Sequence, residues 1–185
     1  QWTKQVASHF GGVRNPMIVS WPGHIKDQGG LRDQFLHVID IAPTILEAAG
    51  LPEPKAVNGI PQTPIEGVSM LYSFNDAQAK DRHETQYFEI FGNRAMYKDG
   101  WWLASKLDRI PWDFAPQTLA KFAPGSGWDP DRDANWELYY LPDDFSQAHN
   151  LAAENPAKVA ELVDLFWAEA ERNRVLPMLG GFAVS

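Results

Sequence analysis

The sequence predicts an α/β chain: edge elements of a large α/β sheet, then a small antiparallel β-sheet packed against a long C-terminal α-helix. Three observations carry this. An apolar run at residues 15–23 is followed by a helix with clear start and stop signals near 40–50. Segments rich in β-formers then recur between 86 and 141, separated by turn residues. Last, an apolar stripe at helical spacing runs from Val159 to Ala170.

In chain order, Asn15-Pro16-Met17-Ile18-Val19-Ser20-Trp21-Pro22-Gly23 reads as a short strand covered on both faces and closed by Pro-Gly. Gly11-Gly12 before it allows a sharp turn or a close backbone approach. Asp40 is placed to cap the following helix, and Pro43 falls in the first turn, where backbone donors are free. Ile41, Ile45, Leu46 and Ala49 share a face, and Gly50 and Pro52 stop the helix. Residues 51–68 hold four prolines, with Asn58-Gly59 and Glu66-Gly67 between them, and read as a surface linker. The domain boundary is set there: 1–68 as the end of a large α/β domain, 69–185 as a small C-terminal subdomain.

Gln86–Phe91, Asn93–Tyr97, Trp101–Leu107 and Trp136–Leu141 read as strands, with Lys98-Asp99-Gly100 as a tight turn. Residues 108–135 form a long loop rich in Pro, Gly and Trp, and loops of that length are often functional. Asn155 and Pro156 suit a helix start. Val159, Leu162, Val163, Phe166, Trp167 and Ala170 form its buried face, Arg172 and Arg174 suit its C-terminal end, and Pro177 follows.

The formal net charge of −8 argues against broad attraction to nucleic acid or an anionic membrane, while leaving room for a local cationic pocket. No apolar run approaches the ~20 residues that span a bilayer. The absence of cysteine removes disulfides, thiolate metal sites and cysteine nucleophiles. The start at Gln1-Trp2-Thr3-Lys4, without initiator methionine or signal-peptide pattern, reads as part of a longer chain. The expected setting is soluble, in a bacterial cytoplasm or periplasm, with the compartment open.

Three segments together resemble the sulfatase family of the alkaline phosphatase superfamily, in its C-terminal portion. The first runs from Lys4 through Gly11-Gly12-Val13-Arg14-Asn15-Pro16 to Trp21-Pro22-Gly23. The second is Asp40-Ile41-Ala42-Pro43-Thr44 within its helix, and the third is Glu137-Leu138-Tyr139-Tyr140-Leu141 with Asp143-Asp144 after it. Each is weak alone, and their order covers nearly the whole chain. Phe10 stands where the family commonly has Glu, and Tyr140 where Asp is common.

The resemblance implies that the parent is an arylsulfatase-type sulfuric ester hydrolase acting on a sulfate ester, with Lys4 binding the sulfate. An ammonium there neutralises sulfate oxygens and stabilises transition-state charge. His9 lies close in sequence and is a candidate substrate-binding residue. Trp112 and Trp128, with Phe114 and Phe122, are candidates for an aryl-binding mouth or a packing surface. Asp143-Asp144 reads as a solvated turn, and no metal site is assigned to this chain.

The implied cofactors, calcium and a formylglycine made from a Cys/Ser-x-Pro-x-Arg motif, belong to the parent, because this chain carries neither that motif nor the metal motifs. The implied partner is the N-terminal sulfatase domain, and the chain alone is expected to be inactive. Two other readings stand beside this one: part of a phosphate or phosphonate monoester hydrolase of the same superfamily, and a non-enzymatic interaction module using its aromatic loop.

Overall fold

A computed structural model describes residues 9–109, 113–123, 125–131 and 134–178. The described residues fall into two compact units: one of residues up to Pro16 together with Thr85 onward, the other Met17–Glu84. The boundary expected after residue 68 thus falls within the second of these, where Met70 N–H donates to Thr44 Oγ1 at 2.9 Å.

The first unit is built on a four-stranded antiparallel sheet in sequence order: β3 (Thr85–Ile90), β4 (Asn93–Lys98), β5 (Trp101–Ser105) and β6 (Glu137–Tyr140). Two-residue turns, Phe91-Gly92 and Asp99-Gly100, join the first three strands, all four residues at positive φ. That is the turn whose twist matches paired strands. Phe91 is an unusual occupant at φ 52°. The Glu89 carboxylate steadies its turn by accepting from Gly92 N–H at 2.7 Å.

Register decides which face each side chain meets. Tyr87, Met96, Leu103 and Leu138 stand directly opposite one another across the four strands. After a short helix α3 (Pro116–Leu119), the C-terminal helix α4 (Pro156–Arg172) lays Leu162, Phe166 and Ala170 against this row, all at 0% exposure. Burial of this kind contributes roughly 1.5–3 kcal/mol for each large apolar side chain. Pro156 opens the helix as expected, but Asn155 does not cap it. Its Nδ2 donates back to the Leu151 carbonyl at 3.2 Å.

On the same face, the Arg94 guanidinium is 1% exposed and lies 5.0 Å from the Trp136 ring. It donates to Ser105 Oγ at 3.3 Å and to the Pro130 carbonyl. Burial draws its pKa down to about 10. The opposite face of the sheet, carrying Phe88, Trp102, Glu137 and Tyr139, receives residues 9–14, where α1 (Phe10–Val13) sets Phe10 5.2 Å from Trp102.

The second unit contains α2 (Ile41–Ala48), preceded by a 3-10 turn at Val38–Asp40, and a small hairpin of β1 (Ala56–Val57) and β2 (Ile60–Pro61). The hairpin lies inside the stretch expected to be linker, turned by Asn58-Gly59 at positive φ. Gly50 ends α2 as expected, with Leu51 N–H reaching the Leu46 carbonyl at 2.9 Å.

Three expectations are corrected in this unit. Residues 17–21 form no strand, because no described segment supplies the ladder of hydrogen bonds that makes one. Trp21-Pro22-Gly23-His24 is a turn, closed by His24 N–H on the Trp21 carbonyl at 3.1 Å. The α2 stripe is not a buried face: Ile41 and Ile45 are exposed and Thr44 is buried.

Third, Asp40 does not cap α2 with its side chain. Fully buried, it accepts from His37 N–H and Val68 N–H, both at 2.8 Å, and from His83 Nδ1 at 2.8 and 2.9 Å. Burial alone would raise this carboxyl, but the bonds from His83, His37 and Val68 outweigh it and hold it below the ordinary aspartate value. Gly67 allows the approach of Val68, since a Cβ there would stand 2.1 Å from the Ile39 carbonyl oxygen.

Candidate functional site

The first unit presents two chemically distinct settings. The first is centred on Glu137 at the start of β6. His9, 2% exposed, places Nε2 at 2.6 Å from Glu137 Oε2. An ionised carboxylate only accepts, so Nε2 carries the proton. Tyr139, two residues on and therefore on the same face of the strand, donates its hydroxyl to the same oxygen at 2.9 Å. Phe10 N–H donates to Gln147 Oε1 at 2.8 Å, and the Arg14 guanidinium sits 4.1 Å from the Phe145 ring.

The electrostatics follow from these contacts. The hydrogen bond from His9 lowers the Glu137 pKa, burial opposes it, and Tyr139 and the Lys106 ammonium add to the lowering. The Tyr139 phenol is raised, first by burial and then by its bond to Glu137. The described ring contacts of Arg14 are with Phe10 and Phe145.

The second setting is a cavity of about 440 Å³ lined by Lys106, Leu107, Asp108, Lys121, Phe122, Gly127, Trp128 and Asn135. Trp128 is half-buried, its ring edge-on to Phe122 with centroids 5.6 Å apart. Of the residues singled out in the sequence, His9 thus lies in the Glu137 cluster and Trp128 in the cavity wall. Lys4 and Trp112 lie outside the described residues. The Asp143-Asp144 turn is organised by Asp144, which accepts from Ala148 and His149 N–H at 2.9 and 2.8 Å.

Sequence reasoning missed Glu137 as the partner of His9, although Glu137 and Tyr139 share the period-2 face of a recognised strand. It also missed Lys106 and Lys121, which carry no motif. Among the described residues, no group of three or more His, Cys, Asp or Glu side chains converges as a metal site. Nor, among them, is any helix long and apolar enough to cross a membrane.

Comparisons with known proteins agree with the sequence resemblance. The chain is 30% identical over 161 residues to an uncharacterized sulfatase of Schizosaccharomyces pombe, covering 85% of this chain and 24% of that protein. It is 28% identical over 151 residues to a sulfatase of Formosa agariphila, covering 80% and 24%. The solved structure of Ps i-CgsB is 16% identical, with a TM-score of 0.49, over 80% of this chain and 27% of its own. The chain therefore spans about a quarter of the length of the curated relatives it matches. Residues 4–99 match the family model described as N-sulphoglucosamine sulphohydrolase, C-terminal, and the chain belongs to that family of sulfatase C-terminal domains.

Proposed function

We propose that this chain is the C-terminal part of an arylsulfatase-type sulfuric ester hydrolase, inactive alone, which gives the parent a sulfate-binding lysine, Lys4, and part of the substrate mouth. The observation that carries the reading is the family match, which begins at Lys4 and runs through the whole Gly-Gly-Val-Arg-Asn-Pro segment. His9 lies five positions on and is held by Glu137 on the sheet. Trp128, which lines the cavity, belongs to the mouth in this reading, and Trp112 is its second candidate from the sequence.

The N-terminal sulfatase portion is the partner in this reading, with the formylglycine nucleophile and calcium on its side. That division follows the sequence, which holds no cysteine and no Ser-x-Pro-x-Arg motif. Exposed apolar residues, Ile18 at 95% and Ile45 at 62%, suit surfaces that a larger protein covers.

The test compares the longer protein with the 185-residue chain. Turnover of an aryl sulfate, the matching phosphate and a phosphonate ester is measured for each. The reading expects sulfate turnover by the longer protein and none by the chain alone. A preference for the phosphate or phosphonate ester would overturn the sulfate assignment, and turnover that copurifies with the short chain would overturn its inactivity.

A further inference from the structure

β4 places a guanidinium at the end of an apolar row. Arg94 precedes Met96 by two residues and so shares its face of the sheet, with Glu89 opposite it on β3 and Ser105 opposite it on β5. Burying a cation is costly unless its surroundings compensate the charge, and an apolar side chain of similar volume fills such a position without that cost. What Arg94 holds therefore matters more than how it packs.

Apart from the bond to Ser105 Oγ, its described hydrogen bonds and ring contact lie on the excursion between β5 and β6. Arg94 Nη1 donates to the Pro130 carbonyl, and the guanidinium carbon lies 5.0 Å from the centre of the Trp136 ring. The carboxylate with the greatest influence on its charge is Asp131. Asp131 is held in turn from the helix, where Trp167 donates its indole N–H to Oδ1 at 3.2 Å. Neighbouring residues of the excursion are thus gripped by donors from two elements, one on the sheet and one on α4.

The grip stands beside the cavity. Trp128, two residues before Pro130, lines that cavity, packs against the core cluster under α4 and meets Phe122 edge-on. The described residues from 125 to 135 form no helix or strand, so no backbone ladder fixes this ring. Ordering such a stretch has an entropy cost that side-chain contacts must offset.

We propose that Arg94 is a positioning residue for the cavity: through the Pro130 carbonyl, and with Trp167 holding Asp131, it fixes the segment that carries Trp128 and so sets the cavity wall. The step from cavity wall to substrate affinity rests on the reading of Trp128 as part of the mouth; the clasp itself does not.

The test labels the protein with 5-fluorotryptophan and follows the Trp128 19F resonance, assigned through Trp128→Phe, in the 185-residue chain and in the longer protein. Arg94→Met removes the cation and keeps the core filled. Arg94→Lys keeps the charge without the planar fork, and Trp167→Phe removes only the indole donor. Lys158→Ala is the control. Arg94→Met should move the Trp128 resonance toward that of free 5-fluorotryptophan in water and enlarge its H2O–D2O shift. Arg94→Lys should fall between Arg94→Met and the unsubstituted protein, and Trp167→Phe should shift in the same direction. The Trp102 resonance, from a fully buried ring on the opposite face, should stay in place in every variant. In the longer protein, Arg94→Met should raise KM about tenfold for the ester that protein turns over, with kcat within about twofold, the pattern of lost uniform binding.

A Trp128 resonance unmoved by both Arg94→Met and Trp167→Phe would overturn the clasp. So would a smaller shift for Arg94→Met than for Arg94→Lys, which would make the position one of packing alone. If Arg94→Met displaces Trp102 as well, the fold is disturbed and Trp167→Phe alone decides. Displacement of Trp128 with KM unchanged would end the mouth assignment and leave the clasp standing. A longer protein that turns over only phosphate esters would end the sulfatase reading without touching the Trp128 result, so the readings fail separately.

Discussion

His9 and Glu137, 128 residues apart in the sequence, meet at 2.6 Å on the face of the small sheet opposite α4. Their contact joins the start of the described chain to its last strand. Tyr139 shares the same carboxylate oxygen, so one acid organises two donors. A carboxylate in this position anchors both donors.

Glu137→Gln is expected to keep the fold and lose about 1 kcal/mol near neutral pH, the difference between charged and neutral hydrogen bonds. The pH dependence follows from the lowered Glu137 pKa. Its contribution is complete above the ordinary glutamate value and is lost as pH falls through the lower folded value. Urea denaturation across the acidic range should show a shallower fall for the variant. Parallel curves would show that Glu137 does not carry the dependence.

Asp40 should be the costlier acid to neutralise. Replacing it by Asn leaves buried donors on His83, His37 and Val68 with at most one good acceptor. A loss of about 3–5 kcal/mol is expected near neutral pH, in the range for breaking a buried pair. Because the folded Asp40 carboxyl is held low, the unsubstituted chain should lose this stabilisation on acidification, and the variant should not. Thermal melts at several pH values read both effects, and a difference under 1 kcal/mol would show the hub to be dispensable.

On α4, Phe166 is fully buried, whereas Trp167 is half-buried and donates its indole N–H to Asp131 at 3.2 Å. Phe166→Ala should therefore cost about 3–5 kcal/mol, and Trp167→Ala clearly less. Urea midpoints decide the order. Equal losses would mean that the helix is rotated from the register described.

Lys4→Ala in the longer protein should lower kcat/KM for an aryl sulfate by roughly a hundredfold to a thousandfold, the loss expected when one charge-stabilising donor is removed. Arginine should not restore it fully, since its planar fork replaces a point charge. Melting temperature should stay unchanged. Near-normal turnover would remove Lys4 from the site.

The sheet and α4 were legible because their patterns are local. Tyr87, Met96, Leu103 and Leu138 fall on alternating strand positions, and the helix stripe repeats at 3.6 residues. The apolar run at Met17–Val19 misled, because a strand needs a neighbour and an apolar pattern does not supply one. Asn58-Gly59 carried a hairpin signal, but its two-residue strands are too short for periodicity to register. Asp40 has the chemistry of a cap, and only its distant partners, Val68 and His83, make it a hub. The Glu137 cluster and the two cavity lysines are equally nonlocal: nothing near His9 or Lys121 in sequence names the residues they meet.

The walls of the cavity come largely from the excursion between Ser105 and Glu137, while β3, β4 and β5 are joined by two-residue turns. Closing a short hairpin costs less chain entropy than returning β6 across a long loop. The three-strand meander is therefore expected to form first, with the cavity completed later. Substitutions of the side chains lining it are then expected to change the rate of unfolding more than the rate of folding. The loop that lines the cavity is thus expected to vary in sequence without delaying the sheet that carries it.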